Sequence, residues 1–287
     1  MEFLQPRSWP DALAAKAEYP DAVPIAGGTD IMVELNFDKR RPPALLDLTG
    51  VPELATWERD DGYIRLGAGV SYTRIIDELG AELPGLAMAS RTVGSPQIRN
   101  RGTVGGNLGS ASPAGDAHPP LLTVDAAVEV ESARGGARAI PIGEFFTGVK
   151  RNALAPDELI SAIRVPVARG PEQFAKVGTR NAMVIAVCSF AIALDPERKT
   201  VGTGIGSAAP TPVRAEPAQD LAAAELRWDD PGSSLDRDLA SRFGDLVAAA
   251  ADPIDDVRGT AAYRRRALSV LARRTLGWAW ADYVRRS

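Results

Sequence analysis

Short apolar runs alternate with stretches of helical spacing along the first part of this chain, which predicts a small α/β lobe. Ser8-Trp9-Pro10-Asp11 reads as an N-cap followed by an early-turn proline, opening an Ala-rich helix to about Tyr19. Ala22-Val23-Pro24-Ile25-Ala26 reads as the end of a short buried strand, Asp30-Ile31-Met32-Val33-Glu34-Leu35 has helical spacing, and 45–48 supplies a second buried strand. A second lobe is expected from about 54 to 168, with strands at 54–58, 63–67, 128–131 and 159–165 and a helix at 72–79. Between helix and later strands lies a long Gly-rich polar stretch, read as a loop.

Arg169-Gly170-Pro171 is a linker by composition. Beyond it, 173–177, 183–194 and 200–207 read as an antiparallel meander, followed by helices at 215–225, 235–251 and 260–284. The expectation is therefore α+β: a two-lobed unit over 1–168 (lobes 1–53 and 54–168), then a domain over 172–287 with a three-stranded antiparallel sheet and helices on one face. Arg264, Arg265, Arg266, Arg273 and Arg274 on the last helix read as a solvated face.

The chemistry concentrates in two glycine segments, Ile25-Ala26-Gly27-Gly28-Thr29-Asp30-Ile31 and Arg101-Gly102-Thr103-Val104-Gly105-Gly106-Asn107. Strand, glycines, helix start is an arrangement that offers backbone N–H groups to an anion. It is not a Walker loop, since no Lys-Ser or Lys-Thr follows, and not G-x-G-x-x-G, since the glycines are adjacent. A tight turn accounts for most isolated Gly-Gly pairs, and it would suffice for the first segment alone. The second lies in a polar stretch running on to Asp116, too long to be only a turn. Backbone donors are assigned to Ala26, Gly27, Gly28, Thr29 and Asp30, and to Thr103, Gly105, Gly106 and Asn107.

These segments resemble those of the FAD-binding medium subunits of the molybdenum hydroxylases, the xanthine dehydrogenase and carbon monoxide dehydrogenase group. That family's first loop is similar to Ala26–Asp30. Its second is similar to Gln97-Ile98-Arg99-Asn100-Arg101-Gly102-Thr103-Val104-Gly105-Gly106-Asn107, followed by Ser112-Pro113 and Asp116. The resemblance extends through Pro141-Ile142-Gly143-Glu144-Phe145-Phe146 and Phe174-Ala175-Lys176 to the last helix. It implies a two-lobed FAD-binding domain of the PCMH/VAO type with FAD between the lobes. It also places Asp116 and Lys176 at flavin contacts, Ile160 or Ser161 beside the flavin ring, and Ile25, Ile31, Val104 and Ser112 in the same cofactor set. Lys176 would then supply positive charge to the reduced cofactor. The implied partners are a large molybdenum-cofactor subunit and a small [2Fe–2S] subunit, with NAD+, oxygen or a quinone as acceptor.

Composition narrows the alternatives. The net charge of −4, from 33 basic and 37 acidic residues, gives no basic excess for nucleic acid. The longest apolar run, 182–194, falls short of a membrane span and the N-terminus has no apolar signal core, so a cytoplasmic protein without membrane insertion is expected. One cysteine, Cys188, and one histidine, His118, cannot hold an iron–sulfur cluster or a zinc ion. Cys188 reads as a buried small residue, and His118 as the start of a helix. His118 is also the one candidate for a histidyl-linked flavin, so non-covalent FAD is expected. No general-base constellation stands out, which suits electron relay, where the flavin carries the redox chemistry. A free-standing FAD oxidoreductase of the same fold ranks second, and a scaffold that has lost FAD ranks third.

Overall fold

The computed structural model describes residues 1–230 and 232–287. The first lobe contains β1 (Glu2–Leu4), α1 (Trp9–Glu18), β2 (Val23–Ile25), α2 (Ile31–Asn36) and β3 (Ala44–Asp47). Ser8 Oγ accepts the Asp11 N–H at 3.3 Å, and Pro10 sits in the first turn, where a missing N–H costs no helix bond. β3 lies between β1 and β2, parallel to both, with Leu46 opposite Leu4 and Leu45 opposite Val23. α2 buries none of its side chains. It therefore stands on the edge of the lobe as a wall.

The second lobe runs through β4 (Trp57–Asp60), β5 (Tyr63–Gly67), α3 (Tyr72–Glu78), α4 (Pro84–Arg91), α5 (Pro96–Arg101), α6 (Val104–Ser110) and α7 (His118–Thr123). It continues with β6 (Ala127–Ser132), β7 (Gly136–Pro141), a turn of helix α8 (Ile142–Phe145), the hairpin β8 (Phe146–Gly148) and β9 (Arg151–Asn152), and β10 (Leu159–Pro166). Its antiparallel sheet has the order β4-β5-β10-β6-β7. Ile64, Leu66, Val128, Val130 and Ile163 point into the core shared with α1, α3 and α6.

Two expectations fail in this lobe. The strand expected at 54–58 is a 3-10 turn at Pro52–Ala55 followed by β4, because Pro52 opens a helical turn and delays the extended backbone. The Gly-rich stretch is not a loop but largely helical, forming α5 and α6. Thr103 Oγ1 caps α6 by accepting the Gly106 N–H at 2.9 Å, and Gly105 lets the helix lie against Ala68, whose carbonyl oxygen would stand 2.5 Å from a Cβ there.

The C-terminal region has β11 (Glu172–Val177), β12 (Cys188–Asp195) and β13 (Thr200–Gly206), antiparallel in that order, then α9 (Glu216–Glu225), α10 (Arg237–Ala249) and α11 (Ala261–Arg286). Cys188, Phe190, Ile192 and Leu194 face the three helices. The opposite face is not free: α4 and α7 of the second lobe pack on it. That face is made of small residues, with Ser189 opposite Gly206, Ala191 opposite Gly204 and Ala193 opposite Gly202. A Cβ at Gly202 would overlap the Thr123 carbonyl oxygen, and one at Gly204 would overlap that of Pro119 and stand 2.8 Å from its carbon.

The strand expected over 183–194 begins only at Cys188. Residues 183–187 are irregular, with Met183 at φ 50°, because side chains rather than a neighbouring strand take their carbonyls. Lys176 Nζ donates to Val184 O at 3.1 Å, Ser207 Oγ to Ala186 O at 2.6 Å, and Arg264 to Val187 O at 2.9 Å. Arg264 is thus no part of a solvated face: it is 3% exposed and also donates to Ser207 O and Asp256. Arg265, Arg266, Arg273 and Arg274 are exposed.

Glu172 crosses the same junction, buried, its Oε2 accepting the Gly85 N–H at the start of α4 at 2.8 Å. Burial pushes its carboxyl up from 4.5 to about 7, against the lowering by that N–H. The folded state then binds more protons than the unfolded one between those values, so stability falls as pH rises through this window. Urea unfolding should show Glu172→Gln near wild type at pH 4.5 and more stable by about 3 kcal/mol at pH 8. At the glycine face, Gly204→Val should lose about 3 kcal/mol of stability at any pH, since Pro119 presents backbone that cannot step aside.

Candidate functional site

A cleft of about 470 Å³ opens between the two lobes. One wall is the turn after β2 together with α2; the other is α6 with the β5–α3 turn and the start of β10. Backbone contact joins them. A Cβ at Gly27 would overlap the Arg101 carbonyl oxygen and stand 2.9 Å from Gly102 N, so glycine is required for the lobes to meet. Gly28 has φ 73°, a left-handed conformation that turns the chain from strand toward α2.

The N–H groups of Gly27, Gly28, Thr29 and Asp30 donate to no protein acceptor among the described residues. On the facing wall, Gly106 and Gly109 present bare backbone; a Cβ at Gly109 would meet nothing within 4 Å. Free donors opposite a helix face without side chains suit a flat, anionic, multi-ring ligand that needs close backbone approach. FAD is such a group, and the residues present fit it.

Of the positions singled out in the sequence, Ala26, Gly27, Asp30, Ile31, Thr103, Gly105, Gly106 and Ile160 line this cleft. Of Ile160 and Ser161, Ile160 is the one in the cleft lining. The β10–β6 register shifts there, and Ser161 turns inward, its carbonyl accepting the Ala68 N–H at 3.0 Å. Ile25, Gly28 and Thr29 stand in the segment behind the lining, and the Val104 side chain is buried in the core.

Asn107, Ser112, Asp116 and Lys176 do not line the cleft; they lie on and beyond α6. Lys176 Nζ on β11 pairs with Asp116 Oδ2 at 2.6 Å and donates to Thr92 O at 2.9 Å, both side chains 9% exposed. Burial pushes the Asp116 carboxyl up, and the Lys176 ammonium offsets part of that rise. Asn107 Oδ1, Asp116 Oδ1, His118 Nδ1 and Tyr72 OH are buried without partners among the described residues. Such orphaned polar atoms call for a polar ligand or water within reach. His118 opens α7 as expected, and its burial lowers it to about 4, so the ring is neutral; Nε2 lies 3.3 Å from Asn107 O. Cys188 is buried and its thiol pushed up to about 12 by desolvation, as an inert packing residue.

Sequence reasoning missed the charged rim. Asp30 Oδ2 accepts from Ser110 Oγ at 2.7 Å, and Glu34 on α2 pairs with Lys150 beyond β8. The Lys150 hydrogen bond holds the Glu34 carboxyl below the usual range. Glu34 falls one helical turn from Asp30 and was legible; Lys150, Arg40 and Glu158 carry no local signal, and Arg101 sits inside the second motif as an unremarked position.

Residues 1–168 match the family described as the FAD binding domain in molybdopterin dehydrogenase, and residues 173–279 the CO dehydrogenase flavoprotein C-terminal domain. The nicotine 6-hydroxylase medium subunit of Paenarthrobacter nicotinovorans is 30% identical over 96% of each chain. The carbon monoxide dehydrogenase medium chain of Hydrogenophaga pseudoflava is 28% identical, covering 98% of this chain and 97% of its own. In the structure of reconstituted CO dehydrogenase from Oligotropha carboxidovorans, a chain 28% identical over 98% of both superimposes with a TM-score of 0.90.

Two glycines separate packing from ligand space. Gly27→Ala should cost about 2 kcal/mol in urea unfolding and reduce bound FAD. Gly109→Leu should leave the unfolding midpoint at or above wild type yet abolish FAD retention, read by absorbance of the purified protein.

Proposed function

Because this chain belongs to the family of FAD-binding subunits of the molybdenum hydroxylases, we propose that it is the electron relay of such an enzyme. It receives electrons from a small [2Fe–2S] subunit, whose partner large subunit oxidises substrate at a molybdenum cofactor, and passes them to NAD+, oxygen or a quinone. The carrying observation is the interlobe cleft, which Gly27 and Asp30, whose N–H groups have no protein acceptor among the described residues, line together with Gly105, Gly106 and Gly109 of α6.

Bound FAD supplies two-electron and one-electron chemistry in one group. The chain's own residues bind and orient it. Ala26, Gly27, Gly28, Thr29 and Asp30, with Ile25 and Ile31 on either side, form the first cradle. Thr103, Val104, Gly105, Gly106 and Asn107 form the second, with Ser112 following it, and Ile160 supplies an apolar surface at the bulge of β10. Asp116 and Lys176 act as a neutralised pair among the buried polar groups beyond α6, so Lys176 gives the site less positive charge than a lone ammonium would. With one cysteine and one histidine in the sequence, the iron–sulfur ligands must come from another chain.

No helix among the described residues is long and apolar enough to cross a membrane, and we place the complex in the cytoplasm. Co-expression with neighbouring genes and capture on a C-terminal tag should yield FAD together with iron and molybdenum. FAD without metals, reducible by NAD(P)H on the isolated chain, would instead establish a free-standing reductase.

A further inference from the structure

We propose that Arg101 is the charged clamp on the pyrophosphate of the bound dinucleotide, an inference that rests on the FAD-binding reading above. Three carboxylates, Asp30, Glu34 and Glu158, and three cations, Arg40, Arg101 and Lys150, line the cleft. The lining is therefore neutral overall, while a pyrophosphate brings two negative charges.

The three cations are not equivalent. Lys150 is paired with Glu34, and Arg40 lies 3.9 Å from that same carboxylate. Arg101 has no carboxylate within ion-pair distance among the described residues. Asp47, which feels its charge, is already satisfied by the Thr49 N–H at 3.0 Å and the Thr49 hydroxyl at 2.7 Å. Its guanidinium is thus the one cleft cation left without a partner among the described residues.

Its backbone is also fixed beside the first glycine segment. The Arg101 carbonyl is the group against which Gly27 packs, so the Arg101 backbone touches the segment whose four N–H groups have no protein acceptor among the described residues. Backbone amides align an anion but carry only partial charges; a guanidinium adds a full charge in a planar fork that matches two phosphate oxygens. Without Arg101 the lining is net negative, with Asp30 beside the cradle.

The test is FAD titration of the full chain, stripped of flavin, at a series of salt concentrations, with the thermal midpoint measured in parallel. Arg101→Gln should raise the Kd about tenfold to a hundredfold and flatten its salt dependence, at an unchanged thermal midpoint of the flavin-free protein. Arg101→Lys should restore part of the affinity and of the salt slope. An unchanged Kd and slope in Arg101→Gln would overturn the clamp alone, as would weakened binding that follows a lowered thermal midpoint. Failure of the wild-type chain to bind FAD at all would overturn the cofactor reading, and the clamp with it.

Discussion

The backbone of Gly27 runs so close to that of Arg101 and Gly102 that no side chain fits between them, and the FAD-binding half of the molecule is arranged around that approach. There the segment leaving the parallel three-stranded sheet meets the lobe of the antiparallel five-stranded sheet through main chain, beside the side-chain core that α1 shares with that lobe. Because the segment after β2 is used for contact at Gly27 and for a left-handed turn at Gly28, its N–H groups join no ladder or helix among the described residues. Gly27 and Asp30 of this segment line the cleft. On the other side, capping by Thr103 keeps a glycine-rich sequence helical, so that the facing surface is firm although it has almost no side chains.

The C-terminal domain is held to this unit by a second use of the same device. Glycines on β13 and small residues on β12 let the backbone of α7 lie on the sheet, and the larger residues of alternate register fill the core under α9–α11. Alternation thus lets one sheet serve two layers. Buried polar contacts add specificity to the docking: Lys176 from β11 reaches Asp116, and Glu172 reaches Gly85. Removing one partner of a buried pair costs about 3–5 kcal/mol, chiefly by stranding the other charge. The buried polar cluster beyond α6 is therefore built by both domains, which explains why Asp116 and Lys176, distant in sequence, belong to one place.

Much of the fold was legible because its signals are local. The cap at Ser8, alternation along β5 and β6, the apolar run of β10, and the period of α3 and α9 through α11 each act within a few residues. Apart from the strand start delayed by Pro52, the misreadings arise where the deciding contacts are distant. Where glycines dominate, as in 102–109, hydrophobic periodicity disappears and helix is indistinguishable from loop until a cap and a packing partner are known. Where carbonyls are taken by distant side chains, as in 183–187, an apolar run reads as strand although no strand pairs with it. Arg264 has the same history: its sequence context is a basic helix, and only its reach to Val187, Ser207 and Asp256 makes it interior.

By itself the sequence determined the element types, the two glycine segments and the family they resemble, because backbone preference and motif spacing are written in consecutive residues. Tertiary structure alone decided which of those residues face the cleft, that Lys176 pairs with Asp116, and that Arg101, with its backbone against Gly27, has no ion-pair partner among the described residues. Those facts depend on distances between segments far apart in the chain, and charge and accessibility have no value until such distances are set.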